Sequence, residues 1–128
     1  SCHTEPLFTN NEFHNNGLTL DPYLNDYGRM RVTNKSEDSL KFKVPTLRNI
    51  QFTPPYMHDG RFETLKAVIT HYNSEITHSS TLSESLKNNL QLTHKEEVDL
   101  LVFLRTLTDT DFLFNKRFSY PFNNQTIP

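Results

Sequence analysis

The sequence predicts a mainly α domain crossed by long irregular loops. Three observations carry that expectation. Two segments, near residues 65–72 and 93–107, repeat apolar residues at helical spacing. Alternating runs of the kind that make strands are few. The first 60 residues show no sustained period, yet large apolar residues recur in them too steadily for a disordered segment. A length of 128 residues fits one domain with a single modest core.

In the first 60 residues, Asn10-Asn11, Asn15-Asn16-Gly17 and Asp26-Tyr27-Gly28 punctuate short apolar fragments. Phe8, Phe13, Leu18, Leu20, Tyr23, Leu24 and Tyr27 make this a packed, irregular region with one short helix at most. Pro45, Pro54 and Pro55 keep the chain extended or turned before residue 60. Leu65, Val68, Ile69 and Tyr72 then fall at i, i+3, i+4 and i+7, with Thr64 as N-cap and Gly60 breaking the chain before it. His71 is expected to face another side of that helix, at the surface. A weaker helix covers Ser83 to Asn89. Thr93 and Glu96 form a capping box, after which Leu100, Phe103, Leu104 and Leu107 share one face. Val98, Leu101 and Val102 widen that face, so this helix is expected to be buried on more than one side. After Thr108 the chain is aromatic but aperiodic, a strap across the surface ending in Asn123-Asn124-Gln125. No internal repeat is present.

Composition narrows the classes further. Hydrophobic residues make up 34% and mean hydropathy is −0.65. There is no tryptophan, but ten Phe and five Tyr must fill much of the interior. A core this short of aliphatics suits a domain completed by a non-protein group, although on composition alone a polar domain with long surface loops is favoured. A net charge of −2 and the absence of a basic run argue against a nucleic-acid surface. No stretch is long and apolar enough for a membrane span, and no secretory leader pattern is visible. The one cysteine excludes an intrachain disulfide.

That cysteine opens the motif reading. Ser1-Cys2-His3 matches the back half of C-x-x-C-H, in which two cysteines bond haem vinyl groups and the histidine reaches the iron. The first cysteine would lie just before residue 1, so the chain is expected to start inside the motif.

Three further stretches carry a resemblance. They are Phe42-Lys43-Val44-Pro45-Thr46-Leu47-Arg48-Asn49, then Pro55-Tyr56-Met57-His58-Asp59-Gly60-Arg61-Phe62, then Val102-Phe103-Leu104-Arg105-Thr106-Leu107-Thr108. With Cys2-His3, Gly28-Arg29 and Val32-Thr33 ahead of them, they resemble the C-terminal haem domain of the bacterial di-haem cytochrome c peroxidases and their MauG-like relatives. The resemblance covers residues 1–108 and leaves 109–128 as a C-terminal tail. It implies a class I cytochrome-c-like haem domain, with long irregular loops wrapped around haem c. Cys2 would supply a thioether and His3 the proximal iron ligand.

The family carries its sixth ligand in the helix after the Pro-Tyr-x-His segment, as methionine in typical peroxidases and tyrosine in the MauG-like branch. That position falls on Tyr72. A core tyrosine with its hydroxyl satisfied by backbone is the plain reading of the same residue. Met57 is the alternative ligand. A thioether favours reduced iron and raises the potential, whereas a hard phenolate favours higher oxidation states. Thr53 and Pro55 match positions whose backbone carbonyls bind calcium in the family, with the remaining protein ligand supplied by a partner domain. A Pro-rich turn without metal is the other reading. Arg48 and Arg61 either pair with haem propionates or sit in solvent. His58 either meets a propionate at the haem edge or is an ordinary turn histidine.

The resemblance implies an electron relay within a larger oxidoreductase. The haem that reduces hydrogen peroxide, and the catalytic residues beside it, would lie in an N-terminal domain outside residues 1–128. The partners expected are that domain and a small electron-donor protein, with a homodimer left open. A periplasmic location follows from c-type haem maturation. The chain alone is then not a complete peroxidase. A stand-alone monohaem electron carrier, or a haem-free inactive fragment, are the alternatives.

Overall fold

The computed structural model describes residues 2–119, so the polar run Asn123–Gln125 lies outside the described residues. Its elements run β1 (Phe13–His14), α1 (Met30–Thr33), β2 (Phe42–Lys43), α2 (Leu65–Ser74), α3 (His94–Thr106) and α4 (Thr110–Leu113). Single-turn 3-10 helices at Ser36–Asp38, Ile50–Phe52, Glu84–Leu86 and Lys116–Phe118 punctuate the loops. The weak helix expected over Ser83–Asn89 is the third of these turns, with Ser83 as its N-cap. The aperiodic tail contains α4 and the last turn. It is anchored where Asp109 N–H donates to Asn49 Oδ1 at 2.7 Å and Phe114 meets Phe52 edge-on at 5.8 Å.

Helix α2 starts as its sequence requires, because Thr64 Oγ1 accepts the Ala67 N–H at 3.1 Å. Leu65 and Ile69 are buried and meet Leu104 of α3 in the main core, with Leu47, Ile50, Tyr56, Leu92, Leu100, Leu101 and Leu107 packed around them. The full capping box forms on α3: Thr93 Oγ1 accepts the Glu96 N–H, and Glu96 Oε2 accepts the Thr93 N–H at 2.8 Å. Asn73 then ties the two helices together. Its amide donates to the Leu92 carbonyl at 3.1 Å and to Glu97 Oε1 at 2.8 Å, while its Oδ1 accepts the Leu92 N–H at 2.6 Å.

Two expectations about these helices are overturned. His71 is not at the surface but 2% exposed. Its Nε2 donates to the Asn16 carbonyl at 2.9 Å and its ring lies 5.8 Å from Phe62, so loops cover the side of α2 turned away from α3. An imidazole with a hydrogen-bond partner can be buried where an apolar stripe alone would not place it. Nor is α3 buried on more than one side. Leu104 is buried, but Val98, Val102 and Phe103 are exposed, Val102 at 54%. Helix α2 and the Ile50–Phe52 turn pack against α3 on its buried side, while Phe103 meets the edge of Phe8, 6.4 Å away.

The loops of the first half are held by polar contacts more than by strands. β1 and β2 pair antiparallel over two residues each, Phe13 opposite Lys43 and His14 opposite Phe42. Directly after β1, Asn15 is 1% exposed. Its amide donates to Ser79 Oγ at 3.0 Å and Thr81 Oγ1 at 2.8 Å, and its Oδ1 accepts the Gly17 N–H at 2.8 Å. Gly17 adopts φ +76°, and a Cβ there would lie 2.5 Å from Ile76 Cγ2, so only glycine fits.

Candidate cofactor site

The loop after Cys2 and His3 closes on itself. Asn10 N–H donates to the Cys2 carbonyl at 2.9 Å, and His3 Nδ1 donates to the Phe8 carbonyl at 2.9 Å. A carbonyl can only accept, so Nδ1 carries the proton and Nε2 keeps its lone pair. That is the tautomer a metal-ligating imidazole needs, with a backbone carbonyl holding the ring in place. Cys2 is a free, half-buried thiol.

The segment Val44–Arg48 explains how this loop is held. Thr9 Oγ1 donates to the Val44 carbonyl at 2.7 Å, Thr46 Oγ1 to the Leu7 carbonyl at 2.6 Å, and Arg48 Nη2 to the Pro6 carbonyl at 2.8 Å. Sequence reasoning offered Arg48 a propionate or solvent; its partner in the fold is this loop. Arg61 is likewise engaged, through Nε on Asp59 Oδ2 at 2.7 Å and Nη2 on the Thr19 carbonyl at 2.9 Å. The Asp59 side chain is only 3% exposed. Burial pushes its carboxyl upward, but the hydrogen bonds and charge of Arg61 outweigh this and hold it below the usual carboxylate value.

Tyr72 lies on the α2 stripe and is half-buried. Burial raises its hydroxyl above the ordinary phenol value, the Asn16 side chain opposes that shift, and a charge on Cys2 adds to it. Met57 sits in the turn closed by the Tyr56–Phe62 bridge, at φ +72°, a left-handed conformation uncommon for a side-chain-bearing residue. Its sulfur accepts from Asn16 Nδ2 at 3.5 Å. Both candidate sixth ligands thus gather around Asn16. Sequence reasoning took Asn16 for turn punctuation, and no signal in Asn15-Asn16-Gly17 marks it otherwise.

His58 stacks on Phe42 with centroids 3.7 Å apart, its imidazole 16% exposed; burial lowers its pKa and Asp59 partly restores it. Thr53 and Pro55 are exposed, and neither carbonyl accepts a hydrogen bond among the described residues. Those oxygens keep lone pairs free for solvent or a hard cation. Among the described residues no three His, Cys, Asp or Glu side chains cluster as a metal site.

These residues fit a haem. An imidazole is aimed by a carbonyl partner of its own, a free thiol precedes it, and burial raises the Tyr72 hydroxyl on α2 above its ordinary value. The protein core is also small for the chain. Among the described residues, seven apolar side chains are buried whereas thirteen large ones are exposed. A large planar apolar group would supply contact area that the side chains alone do not.

No family model matches the chain. It is similar to the methylamine utilization protein MauG of Methylophilus methylotrophus, 36% identical over 109 residues, which is 84% of this chain and 31% of that protein. It is also similar to the cytochrome-c peroxidase IdrP1 of Pseudomonas sp. (strain SCT), 35% identical over 80% of this chain and 27% of the relative. Cytochrome c551 peroxidase of Nitrosomonas europaea is 33% identical over 98% of this chain and 35% of the relative. The chain thus spans about a third of the length of these relatives. Among solved structures it resembles a MauG-like protein associated with microbial copper homeostasis, at a TM-score of 0.74 and 36% identity, over 92% of this chain and 40% of that one.

Proposed function

This chain is a member of the MauG and cytochrome-c peroxidase proteins, a haem-related oxidoreductase family, and from that premise we propose that it is their electron-transfer haem domain. The observation that carries this reading is His3, whose Nδ1–H is held by the Phe8 carbonyl so that Nε2 stays free for iron. In this reading residues 1–108 form a class I cytochrome-c-like domain and 109–128 a C-terminal tail, of which Asp109 and Phe114 are anchored on the Asn49–Phe52 turn. A bound haem c supplies one-electron storage at this position.

Cys2 anchors the cofactor by a thioether and His3 supplies the proximal ligand. Thr46 and Arg48 hold the loop that carries both. Tyr72 supplies the sixth ligand, with Met57 second. Its hydroxyl is a hard donor in a buried setting, which suits oxidised iron better than a thioether does. Reducing hydrogen peroxide to two waters takes two electrons and two protons. The chain's part is to pass electrons, one at a time, from a small donor protein to a peroxidatic haem in an N-terminal domain of the parent protein. The three-fold greater length of the relatives supports a relay within a larger protein over a stand-alone carrier. Calcium on the Thr53 and Pro55 carbonyls and a periplasmic location belong to the same proposal.

Intact mass and visible absorption of the chain test the first step. The expected result is a haem adduct with a Soret band, both abolished by Cys2→Ser; a bare polypeptide mass without that band would defeat it. In the haem-loaded protein, Tyr72→Phe should change the spectrum and Met57→Leu should not. The reverse pattern would make Met57 the ligand.

A further inference from the structure

Asn16 joins elements that are distant in sequence. Its backbone carbonyl accepts from His71 Nε2 at 2.9 Å, which fixes α2 against the first-half loop one residue before Tyr72. Its side-chain Oδ1 accepts the Leu18 N–H at 3.4 Å, and its Nδ2 faces the Met57 sulfur at 3.5 Å. The amide has a fixed sense: turning it over would set its oxygen against the sulfur and its NH2 against the Leu18 N–H. Met57 is held from its other end by its turn, since Tyr56 N–H donates to the Phe62 carbonyl at 2.7 Å and Met57 itself occupies a left-handed conformation.

We infer that Asn16 is a positioning residue that selects the sixth iron ligand, its amide N–H tethering the Met57 thioether while its main-chain carbonyl sets the helix that presents Tyr72. The inference rests on the reading of Cys2, His3 and Tyr72 as the residues that hold haem. A sulfur is a weak acceptor, so the tether is a bias that a free iron site can overcome once the donor is removed. The Asn16 side chain also faces the Tyr72 hydroxyl, so the Asn16→Leu/Met57→Leu double variant is what separates an effect through the methionine from one through the phenol. Asn16 acts through the methionine, by occupying the thioether and holding it in its turn, and leaves the phenol oxygen as the available donor.

The test uses the haem-loaded parent protein and two readouts: the midpoint potential of this haem, and the thioether-to-iron charge-transfer absorption of the oxidised form. Asn16→Leu removes the donor and leaves the backbone carbonyl in place. The expected result is the appearance of that absorption with a rise in potential of at least a tenfold change in the reduction equilibrium, about 59 mV for one electron. Both changes should vanish in the Asn16→Leu/Met57→Leu double variant. An Asn16→Leu protein with the parent's spectrum and potential, or a change that persists in the double variant, would overturn the inference. Should Asn16→Leu not take up haem, Asn16→Ser keeps an acceptor for Leu18 but has no amide donor, and the same result is expected. Loss of haem in both would also overturn it, by showing that Asn16 is needed for the fold rather than for ligand choice. A Tyr72→Phe protein with an unchanged spectrum would instead defeat the underlying reading.

Discussion

Asn15→Ala should cost roughly 3–5 kcal/mol of unfolding free energy, a large share of the stability of a domain this size. Asn15 makes three side-chain hydrogen bonds at 2.8–3.0 Å from a position 1% exposed. At about 1 kcal/mol net for each, loss of the bonds to Ser79 and Thr81 accounts for about 2 kcal/mol. The Gly17 N–H is then left without its acceptor, and an unsatisfied buried donor costs about 1–3 kcal/mol. Gly17 cannot shift to find water, because its backbone already lies close against Ile76 and Leu82. Urea unfolding followed by far-UV circular dichroism measures the effect. With a slope of about 2 kcal/mol per molar, the midpoint should fall by about 2 M. A fall of less than about 0.5 M would refute the claim that this buried amide fastens the first-half loop to residues 79–83.

Two further predictions concern the core and its acid sensitivity. Leu104→Ala should cost about 2–5 kcal/mol, as for a buried leucine, whereas Val102→Ala should stay within about 0.5 kcal/mol; equal costs in thermal unfolding would restore the two-sided burial of α3 that the sequence suggested. Asp59→Asn should destabilise the domain at neutral pH, because Arg61 holds the carboxyl below its ordinary value. A depressed folded pKa adds stability that is present above the unfolded value of about 3.9 and is lost as pH falls through the folded one. The gap between wild type and variant should therefore close below about pH 4, and a gap that is the same at all pH values would contradict the ion pair.

What the sequence revealed follows the range of the interactions involved. Both capped helix starts were legible, because Thr64 and the Thr93–Glu96 box act within one turn. The stripe of α2 was equally plain, since period alone places Leu65 and Ile69 inside. His71 was misplaced because its burial depends on a carbonyl in a loop far away in sequence. The faces of α3 were misjudged for a related reason: apolar residues declare that they could be buried, not that a partner exists to bury them. The roles of Thr46 and Arg48 were illegible as physics, although the motif containing them carried the family resemblance. Their work is to bind carbonyls of the Pro6-Leu7 segment, and side chain to backbone bonds across a loop leave no periodic trace. Asn16 was missed altogether. Its contacts run through one main-chain oxygen and one side-chain amide, and neither alters the local pattern of a turn.

The loop that aims His3 is closed largely by near neighbours. Phe8 answers the imidazole five residues on, and Asn10 returns to the Cys2 carbonyl. Ring closure over so few residues costs little chain entropy and takes about 10–100 ns. The opposite side of the site has no such shortcut, since α2 reaches Asn16 across 55 residues of sequence. The two halves of the proposed site therefore differ in the sequence range of the contacts that build them. The segment carrying His3 is thus closed by local contacts, while α2 is tied to Asn16 only through contacts distant in sequence.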